Sequence, residues 1–378
     1  MPSLVPTPIT LLAPYVPGAP IEQIRREYGI DRLVKLASNE SAIGASPRVA
    51  EALAELLANV HLYPDPRAHN LRAALARHWA IEPGELAFGN GSNELIDLIG
   101  RVFAAAEDHV VFGEPSFLCY RIACVAGGIP FTDVPLVDDV AWDVDALLAA
   151  VTPRTRLLFL SNPNNPTGAY VGEQALRRLL SELPREVVPV LDEAYAEFAT
   201  APDYVSGLSL RHLHPRTIVL RTFSKAYGLA GLRVGYAVAA PEMIGWLERL
   251  RAPFNVNALA QAGAIAALAD TAHLARAVAL NSQERERVAA RLTELGFAVA
   301  PSQANFVLVS VDAPSAQAYE WFLRQGVILR AFGPPLSHHL RVSLGSPSEN
   351  DTMLEAFATF RTRAANATEP ADTARTTP

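Results

Sequence analysis

Lysine is almost absent from this chain of 378 residues. Of its 32 lysine and arginine side chains only Lys35 and Lys225 are lysines, so arginine serves wherever a generic positive charge is sufficient. A lysine therefore calls for a chemical reason. A primary amine can lose its proton when it is desolvated and can then attack a carbonyl, which a guanidinium cannot do. Scarcity alone leaves open whether Lys225 is such an amine or an ordinary exposed lysine.

Other absences restrict the class of protein. The two cysteines, Cys119 and Cys124, are five residues apart, which suits neither a CxxC redox pair nor a zinc site, so we expect buried free thiols and no metal. No apolar run approaches the roughly 20 residues of a membrane span, and the first residues lack the features of a signal peptide. The net charge of -7 and the lack of a basic stripe argue against a nucleic-acid partner. We expect a cytoplasmic protein that binds neither membrane nor nucleic acid.

The composition that remains is globular, with 50% hydrophobic and 19% charged residues. Short runs that are apolar on both faces alternate with helical stretches or long loops. This pattern is typical of an α/β fold in which helices flank a mostly parallel sheet. The predicted strands of this sheet cover residues 109–112, 129–134, 156–160, 187–191, 217–220 and 234–239, with a further short strand at 86–88.

The length predicts a large domain and a smaller one. We expect an N-terminal arm over 1–40 that joins the small domain, a large domain over 41–270, a small α+β domain over 271–363 and a disordered tail over 364–378. In the large domain Ser46 should cap a helix that begins at Pro47. The small domain should contain strands at 297–299, 305–309, 327–330 and 340–344, and helices at 314–324 and 347–363.

Four polar stretches adjoin predicted strands, where open α/β sheets collect their ligands. The glycine-rich turn 89–93 could bind a phosphate or be a tight turn. The loop 161–168 has two Asn-Pro steps and three asparagines, more than a structural turn needs. Asp192 ends an apolar strand, either as a helix cap or as a buried anion. The stretch 221–236 places hydroxyls and a guanidinium around Lys225.

Together these stretches offer an amine, phosphate donors, a carboxylate and ring-oxygen donors, which are the groups that a pyridoxal phosphate site requires. The series Asn-Pro-Thr-Gly at 165–168, Asp-x-x-Tyr at 192–195, and Ser-Lys with an arginine eight residues after the lysine at 224–233 resembles the fold-type I pyridoxal-phosphate aminotransferases. Their fold is that of aspartate aminotransferase. Within this family the chain most resembles the histidinol-phosphate aminotransferases, over nearly its whole length.

The resemblance implies catalytic roles for Lys225, Asp192 and Tyr195. Lys225 would bond covalently to the cofactor aldehyde, Asp192 would pair with the ring nitrogen, and Tyr195 and Asn165 would bond the ring 3-oxygen. Further cofactor contacts would come from Gly91, Ser92, Asn93, Thr222, Ser224 and Arg233 at the phosphate and from Phe117 stacked on the ring. Tyr63 would reach the cofactor phosphate of the neighbouring subunit, which implies a homodimer.

The resemblance also implies an amino donor and a keto acid as substrates, with Tyr15, Asn39 and Arg330 recognising the substrate and Arg341 clamping a carboxylate. The resemblance favours a ping-pong reaction of histidine biosynthesis, in which an amino group is transferred between histidinol phosphate and 2-oxoglutarate. Members of this family often have Asn-Pro after the residues that match Asn39 and Glu40, whereas this chain has Ser-Ala-Ile at 41–43. They also often have an acidic residue after the arginine that matches Arg330, and residues 331–335 of this chain contain none. An aromatic amino-acid aminotransferase, a threonine-phosphate decarboxylase and a non-catalytic cofactor-binding regulator are the alternatives.

Overall fold

A computed structural model of the protein describes residues 4–14, 21–30 and 32–368. Its helices are α1 (Thr7–Thr10), α2 (Ile21–Tyr28), α3 (Pro47–Leu56), α4 (His69–Trp79), α5 (Ser92–Phe103), α6 (Cys119–Gly127), α7 (Val144–Ala149), α8 (Glu173–Glu182), α9 (Gly207–Leu210), α10 (Pro241–Leu250), α11 (Ala258–Ala269), α12 (Thr271–Glu294), α13 (Ser315–Arg324) and α14 (Pro347–Thr368). Its strands are β1 (Val34–Lys35), β2 (Leu86–Gly89), β3 (His109–Glu114), β4 (Phe131–Pro135), β5 (Thr155–Ser161), β6 (Val188–Asp192), β7 (Ile218–Thr222), β8 (Gly235–Val238), β9 (Phe306–Ser310), β10 (Val327–Ile328), β11 (Arg330–Ala331) and β12 (His339–Ser343).

The large sheet has the strand order β2-β8-β7-β6-β5-β3-β4. Strand β8 runs antiparallel to β2 and β7, and the other neighbours are parallel. The carboxyl ends of β3, β5, β6 and β7 therefore meet at one edge. This confirms the predicted α/β fold with a mostly parallel sheet.

The strands are apolar on both faces because helices cover both faces. In β5, Leu157 and Phe159 pack into the core on the side of α5 and α6, whereas Leu158 and Leu160 pack into the core on the side of α8. Successive side chains of a strand point to opposite faces, so a strand between two helical layers has no polar face. The continuous hydrophobic run in the sequence follows from this double burial.

The smaller sheet has the order β11-β12-β9 and is antiparallel. Its core includes Val288 of α12, Phe322 of α13 and Phe357 of α14. Separately, β1 pairs in parallel with β10, which joins the segment before residue 40 to this part of the chain. The predicted domain boundaries stay predictions.

Some local predictions need correction. Residues 297–299 form only an isolated bridge between Val299 and Val309, and the predicted strand 327–330 is split into β10 and β11. Helix α14 continues to Thr368, past the predicted end at residue 363, and the rest of the predicted tail lies outside the described residues. The Ser46 cap is confirmed, because its hydroxyl oxygen accepts a hydrogen bond from the backbone of Arg48.

No single helix in the described ranges is long and apolar enough to cross a membrane. Helices α11 and α12 meet that criterion only as a pair bent by 78°. Much of α11 is buried in the core of the large sheet, including Ala260 and Ala264.

A buried ion-pair network lies below the ends of β6 and β7. Arg221 contacts Glu193 at 2.7 Å and Glu197 at 2.9 Å, with only 4% of the Arg221 side chain and none of the Glu193 side chain exposed. The guanidinium also lies 5.0 Å from the centre of the Trp79 ring. Arg221 and Thr222 are successive residues of β7, so their side chains point to opposite faces of the sheet. The ion-pair network therefore lies on the face opposite to Thr222.

Replacing Arg221 with alanine leaves two buried carboxylates without their cation. We expect the free energy of unfolding to fall by about 3–5 kcal/mol. Urea unfolding of the cofactor-free protein, followed by circular dichroism, measures this change. The control is Arg324→Ala, which removes a pair with Glu320 in which the side chains are 65% and 42% exposed and which should cost about 0–1 kcal/mol. Equal decreases in the free energy of unfolding of the two variants would show that the buried network stabilises the protein no more than an exposed ion pair does.

Candidate active site

Lys225 lies at the carboxyl edge of the large sheet, covered by the segment that precedes α3. Its amine donates a hydrogen bond to the carbonyl oxygen of Ser38 at 3.2 Å and lies 5.8 Å from the centre of the Tyr195 ring. Burial lowers the pKa of Lys225 to about 8; nearby Arg341 lowers it as well, while Glu40 opposes the shift. With this pKa about one tenth of the amine is neutral at pH 7, far more than for an ordinary lysine, and the neutral form is the nucleophile.

The turn that carries Lys225 depends on glycine at position 228. Gly228 has a φ of +71°, and a Cβ atom there would lie 2.3 Å from the carbonyl oxygen of Gly44. The backbone of Gly228 also donates to the carbonyl oxygen of Lys225 at 3.0 Å. Only glycine combines this conformation with this close approach.

Asp192 is buried at the end of β6 with neutral hydrogen-bond donors around it. The Tyr120 hydroxyl donates to Oδ2 at 2.8 Å, and the backbone of Ala194 donates to Oδ1 at 3.2 Å. Burial raises the pKa of Asp192 to about 6, against these hydrogen bonds. The next helical turn begins at Ala196, so Asp192 does not cap it. The buried-anion interpretation is the one that fits.

Tyr120 was not predicted as a site residue. It lies on α6, stacked on Phe159 with ring centres 4.8 Å apart, and belongs to no motif. Predicted Phe117 lies near it, with its ring edge-on at 5.9 Å. In the sequence Tyr120 looks like any apolar core residue of a helix, so nothing there indicates its bond to Asp192.

Predicted substrate ligands contact predicted cofactor ligands in this structure. Arg341 donates to Asn165 Oδ1 at 2.5 Å and to the carbonyl oxygen of Ala37 at 2.7 Å. Asn39 Nδ2 donates to the Tyr195 hydroxyl oxygen at 3.0 Å. The structure thus places Arg341 and Asn39 beside the residues expected to bond the ring 3-oxygen.

The asparagine-rich loop after β5 serves two purposes. Asn162 Oδ1 accepts from the backbone of Val171 at 2.8 Å, and Asn164 Nδ2 donates to Thr167 Oγ1 at 2.9 Å. These two side chains fasten the loop itself, which corrects the expectation that a structural turn would not need them. Of the three asparagines, Asn165 is the one whose side chain bonds Arg341.

Several groups suited to an anion converge at the start of α5. Gly91, with φ +76°, precedes the helix, and a Cβ atom there would lie 2.5 Å from a guanidinium nitrogen of Arg233. The Thr222 hydroxyl donates to the Ser224 hydroxyl at 3.0 Å. Gly235 pairs with Thr222, and a Cβ atom on it would lie 2.6 Å from the backbone nitrogen of Ser92.

This phosphate cradle, defined as Gly91, Ser92, Asn93, Thr222, Ser224 and Arg233, combines a helix N-terminus, hydroxyls and a guanidinium. Such a set binds phosphate through backbone N–H groups and charge. With the amine of Lys225, the buried carboxylate of Asp192 and the donors Tyr195 and Asn165, the residues fit pyridoxal phosphate.

The remaining predicted residues lie in different parts of the structure, and one of them is not described. Tyr63 is 83% exposed and its ring stacks on Phe254 with centres 4.6 Å apart. Arg330 and Arg341 are Cα partners on β11 and β12, so their side chains lie on the same face of the small sheet. Tyr15 lies outside the described residues.

Known proteins resemble both the sequence and the fold. The family model for class I and II aminotransferases matches residues 31–357. A histidinol-phosphate aminotransferase from Anaeromyxobacter sp. (strain Fw109-5) is 44% identical over 358 residues, 94% of this chain and 98% of that protein. The crystal structure of histidinol-phosphate aminotransferase from Sinorhizobium meliloti in complex with pyridoxal-5'-phosphate has a TM-score of 0.88 at 30% identity, covering 96% of this chain and 98% of that one.

A double mutant of aspartate aminotransferase from Thermus thermophilus has a TM-score of 0.80 at 24% identity, covering 94% of this chain and 99% of that one. This likeness shows a shared fold, the fold type I expected from the motifs. The match to the family model spans most of the chain and includes every residue of the phosphate cradle, Asp192 and Lys225. The chain therefore belongs to the family of class I and II aminotransferases.

Proposed function

We propose that the protein is a pyridoxal-phosphate-dependent aminotransferase that moves an amino group between histidinol phosphate and 2-oxoglutarate in histidine biosynthesis. The observation that carries the substrate choice is the placement of Arg330 directly opposite Arg341. Histidinol phosphate presents a phosphate dianion, and glutamate presents two carboxylates. Two guanidiniums on one face suit both substrates, as a ping-pong enzyme requires.

The site residues divide the chemistry among them. The cofactor, when bound, supplies an electron sink that stabilises the carbanion left after loss of the substrate Cα proton. Lys225, with a pKa lowered to about 8, can accept that proton as a neutral amine and return it to another carbon. Asp192 would hold the positive charge of the ring nitrogen, and the phosphate cradle would fix the position of the group.

The alternative enzymes differ in whether their substrates have an anionic group that Arg330 could bind. Phenylalanine has one carboxylate, so its half-reaction needs Arg341 but presents no anion to Arg330. A threonine phosphate could engage both guanidiniums, and release of carbon dioxide without a keto acid would identify a decarboxylase. Half-reactions of the purified protein with histidinol phosphate and with phenylalanine decide between the transaminases. Rapid turnover of phenylalanine alone would overturn the proposal.

We also propose that the enzyme is a cytoplasmic homodimer in which Tyr63 serves the partner's cofactor phosphate. Tyr63 lies in a group of exposed apolar side chains that includes Val60, Leu62 and Phe254. Exposed groups of this kind mark protein contact surfaces. A tyrosine that is exposed in one subunit and stacked on Phe254 is available to a neighbouring subunit.

The substitution Lys225→Arg keeps the positive charge but removes the only kind of side chain able to bond the aldehyde. We expect loss of the absorbance of lysine-bound cofactor and a decrease in kcat of at least about 1000-fold. Spectra and the mass of the borohydride-reduced protein measure the bond. The matched control is Lys35→Arg, at the other lysine, which pairs with exposed Glu40 and should behave like wild type. Full activity of Lys225→Arg would refute the assignment.

The substitution Arg330→Gln removes the guanidinium of the arginine that pairs with Arg341 across β11 and β12. We expect kcat/KM for histidinol phosphate to fall about 10- to 100-fold, because a hydrogen bond to a charged group is lost. Single-turnover half-reactions measure the effect, and the phenylalanine half-reaction should change little. Arg324→Gln, on the exposed face of α13, is the control. Equal losses for both substrates would indicate that Arg330 does not bind the phosphate.

Complementation between subunits tests the dimer. Tyr63→Ala and Lys225→Ala should each give a weakly active or inactive protein. A hybrid dimer of the two has one complete site of two, so isolated hybrids should have about half of the wild-type sites and a random mixture about a quarter. Activity of co-expressed, doubly tagged hybrids is the measurement. Hybrids no more active than the two parents would show that Tyr63 acts within its own subunit or not at all.

A further inference from the structure

Ser343, Asn39 and Tyr195 form a continuous chain of buried hydrogen bonds. The Ser343 hydroxyl oxygen accepts from the backbone N–H of Asn39 at 2.9 Å, and its hydrogen is donated to Asn39 Oδ1 at 2.8 Å. Asn39 Nδ2 in turn donates to the Tyr195 hydroxyl oxygen at 3.0 Å. Ser343 belongs to β12, two residues after Arg341 and on the same face.

The backbone of Asn39 is fixed at both of its polar groups. Its N–H is bonded to Ser343, and its carbonyl oxygen accepts from Asn305 Nδ2 at 3.1 Å. Asn39 has a φ of +54°, a left-handed conformation that asparagine tolerates better than most residues. With the backbone held, the remaining choice is which end of the side-chain amide faces Tyr195.

The Ser343 hydroxyl determines that choice. In the observed orientation Asn39 Oδ1 accepts from the Ser343 hydroxyl while Asn39 Nδ2 donates to the Tyr195 hydroxyl. A flipped amide would present Nδ2 to Ser343, and the buried Ser343 hydroxyl hydrogen would lose Asn39 Oδ1, the acceptor that it has in the structure. Leaving a buried hydroxyl hydrogen unpaired is unfavourable, so serine at this position selects the observed orientation.

The orientation of the amide sets the direction of the Tyr195 hydroxyl. Because Tyr195 accepts a hydrogen bond from Asn39, its own hydrogen points away from Asn39. A flipped amide would instead take that hydrogen through Asn39 Oδ1. The direction of the Ser343 hydroxyl is thus transmitted through Asn39 to Tyr195.

We propose that Ser343 is a positioning residue that directs the Tyr195 hydroxyl hydrogen toward the ring 3-oxygen of the cofactor. This proposal rests on the proposed function. A hydrogen bond to that oxygen stabilises its anionic form and lowers the pKa of the lysine-bound cofactor. Ser343 therefore tunes the protonation of the cofactor without touching it.

The test is a pH titration of the absorbance of the cofactor-loaded protein. In Ser343→Ala the amide can flip and take the Tyr195 hydrogen, so the pKa of the lysine-bound cofactor should rise by about half a unit to one unit. Ser343→Thr keeps the hydroxyl and should restore the wild-type value. Ser343→Cys, a weak donor of similar size, should lie between them and carries the test if the alanine variant fails to fold. Ser310→Ala, on neighbouring β9, is the matched control and should leave the pKa unchanged.

The outcomes separate this proposal from the proposed function. An unchanged pKa in Ser343→Ala and Ser343→Cys would overturn the positioning role while Lys225 still carries the cofactor. A shift in Ser343→Thr as large as in Ser343→Ala would also overturn it, because packing rather than the hydroxyl would then be responsible. A wild-type protein without any lysine-bound cofactor band would instead refute the proposed function.

Discussion

Removal of water from the Lys225 amine is the constraint on which the rest of the site depends. Burial brings the pKa of this lysine down to about 8, and the guanidinium of Arg341 acts in the same direction. A guanidinium at position 225 would stay charged under the same conditions. This explains why a chain that uses arginine for nearly all of its cations keeps a lysine here.

That burial needs parts of the chain that are far apart in sequence. The carbonyl oxygen of Ser38 accepts from the amine, and the segment around it is held to the small sheet by backbone hydrogen bonds, such as that from Ser343 to Leu36. Phe306 of β9 packs edge-on against the Tyr195 ring and lies 5.2 Å below the Arg341 guanidinium. The small sheet thus closes over the large one, and the site exists only where both are folded.

The sequence was sufficient to predict features that depend on local pattern. Doubly buried strands appear as apolar runs, and parallel strands bring their carboxyl ends together, so Asp192, Tyr195 and Lys225 could be expected at one edge. Tyr120 could not, because it belongs to no motif and its bond to Asp192 joins residues 72 positions apart. The motif Asn-Pro-Thr-Gly indicated Asn165, but the bonds by which Asn162 and Asn164 fasten the loop depend on its folded form and could not be predicted.

Asp192 and Glu193 show how adjacent carboxylates acquire opposite roles. Glu193 lies with Arg221 beneath the sheet, where its charge is already compensated. Asp192 is bonded by the neutral donors Tyr120 and Ala194, and burial raises its pKa to about 6. Had Arg221 faced Asp192, it would compete with a protonated ring nitrogen for the same oxygen atoms. Because the two side chains diverge, the compensating positive charge for Asp192 has to arrive with the cofactor, and the binding of that charge favours the ionised carboxylate.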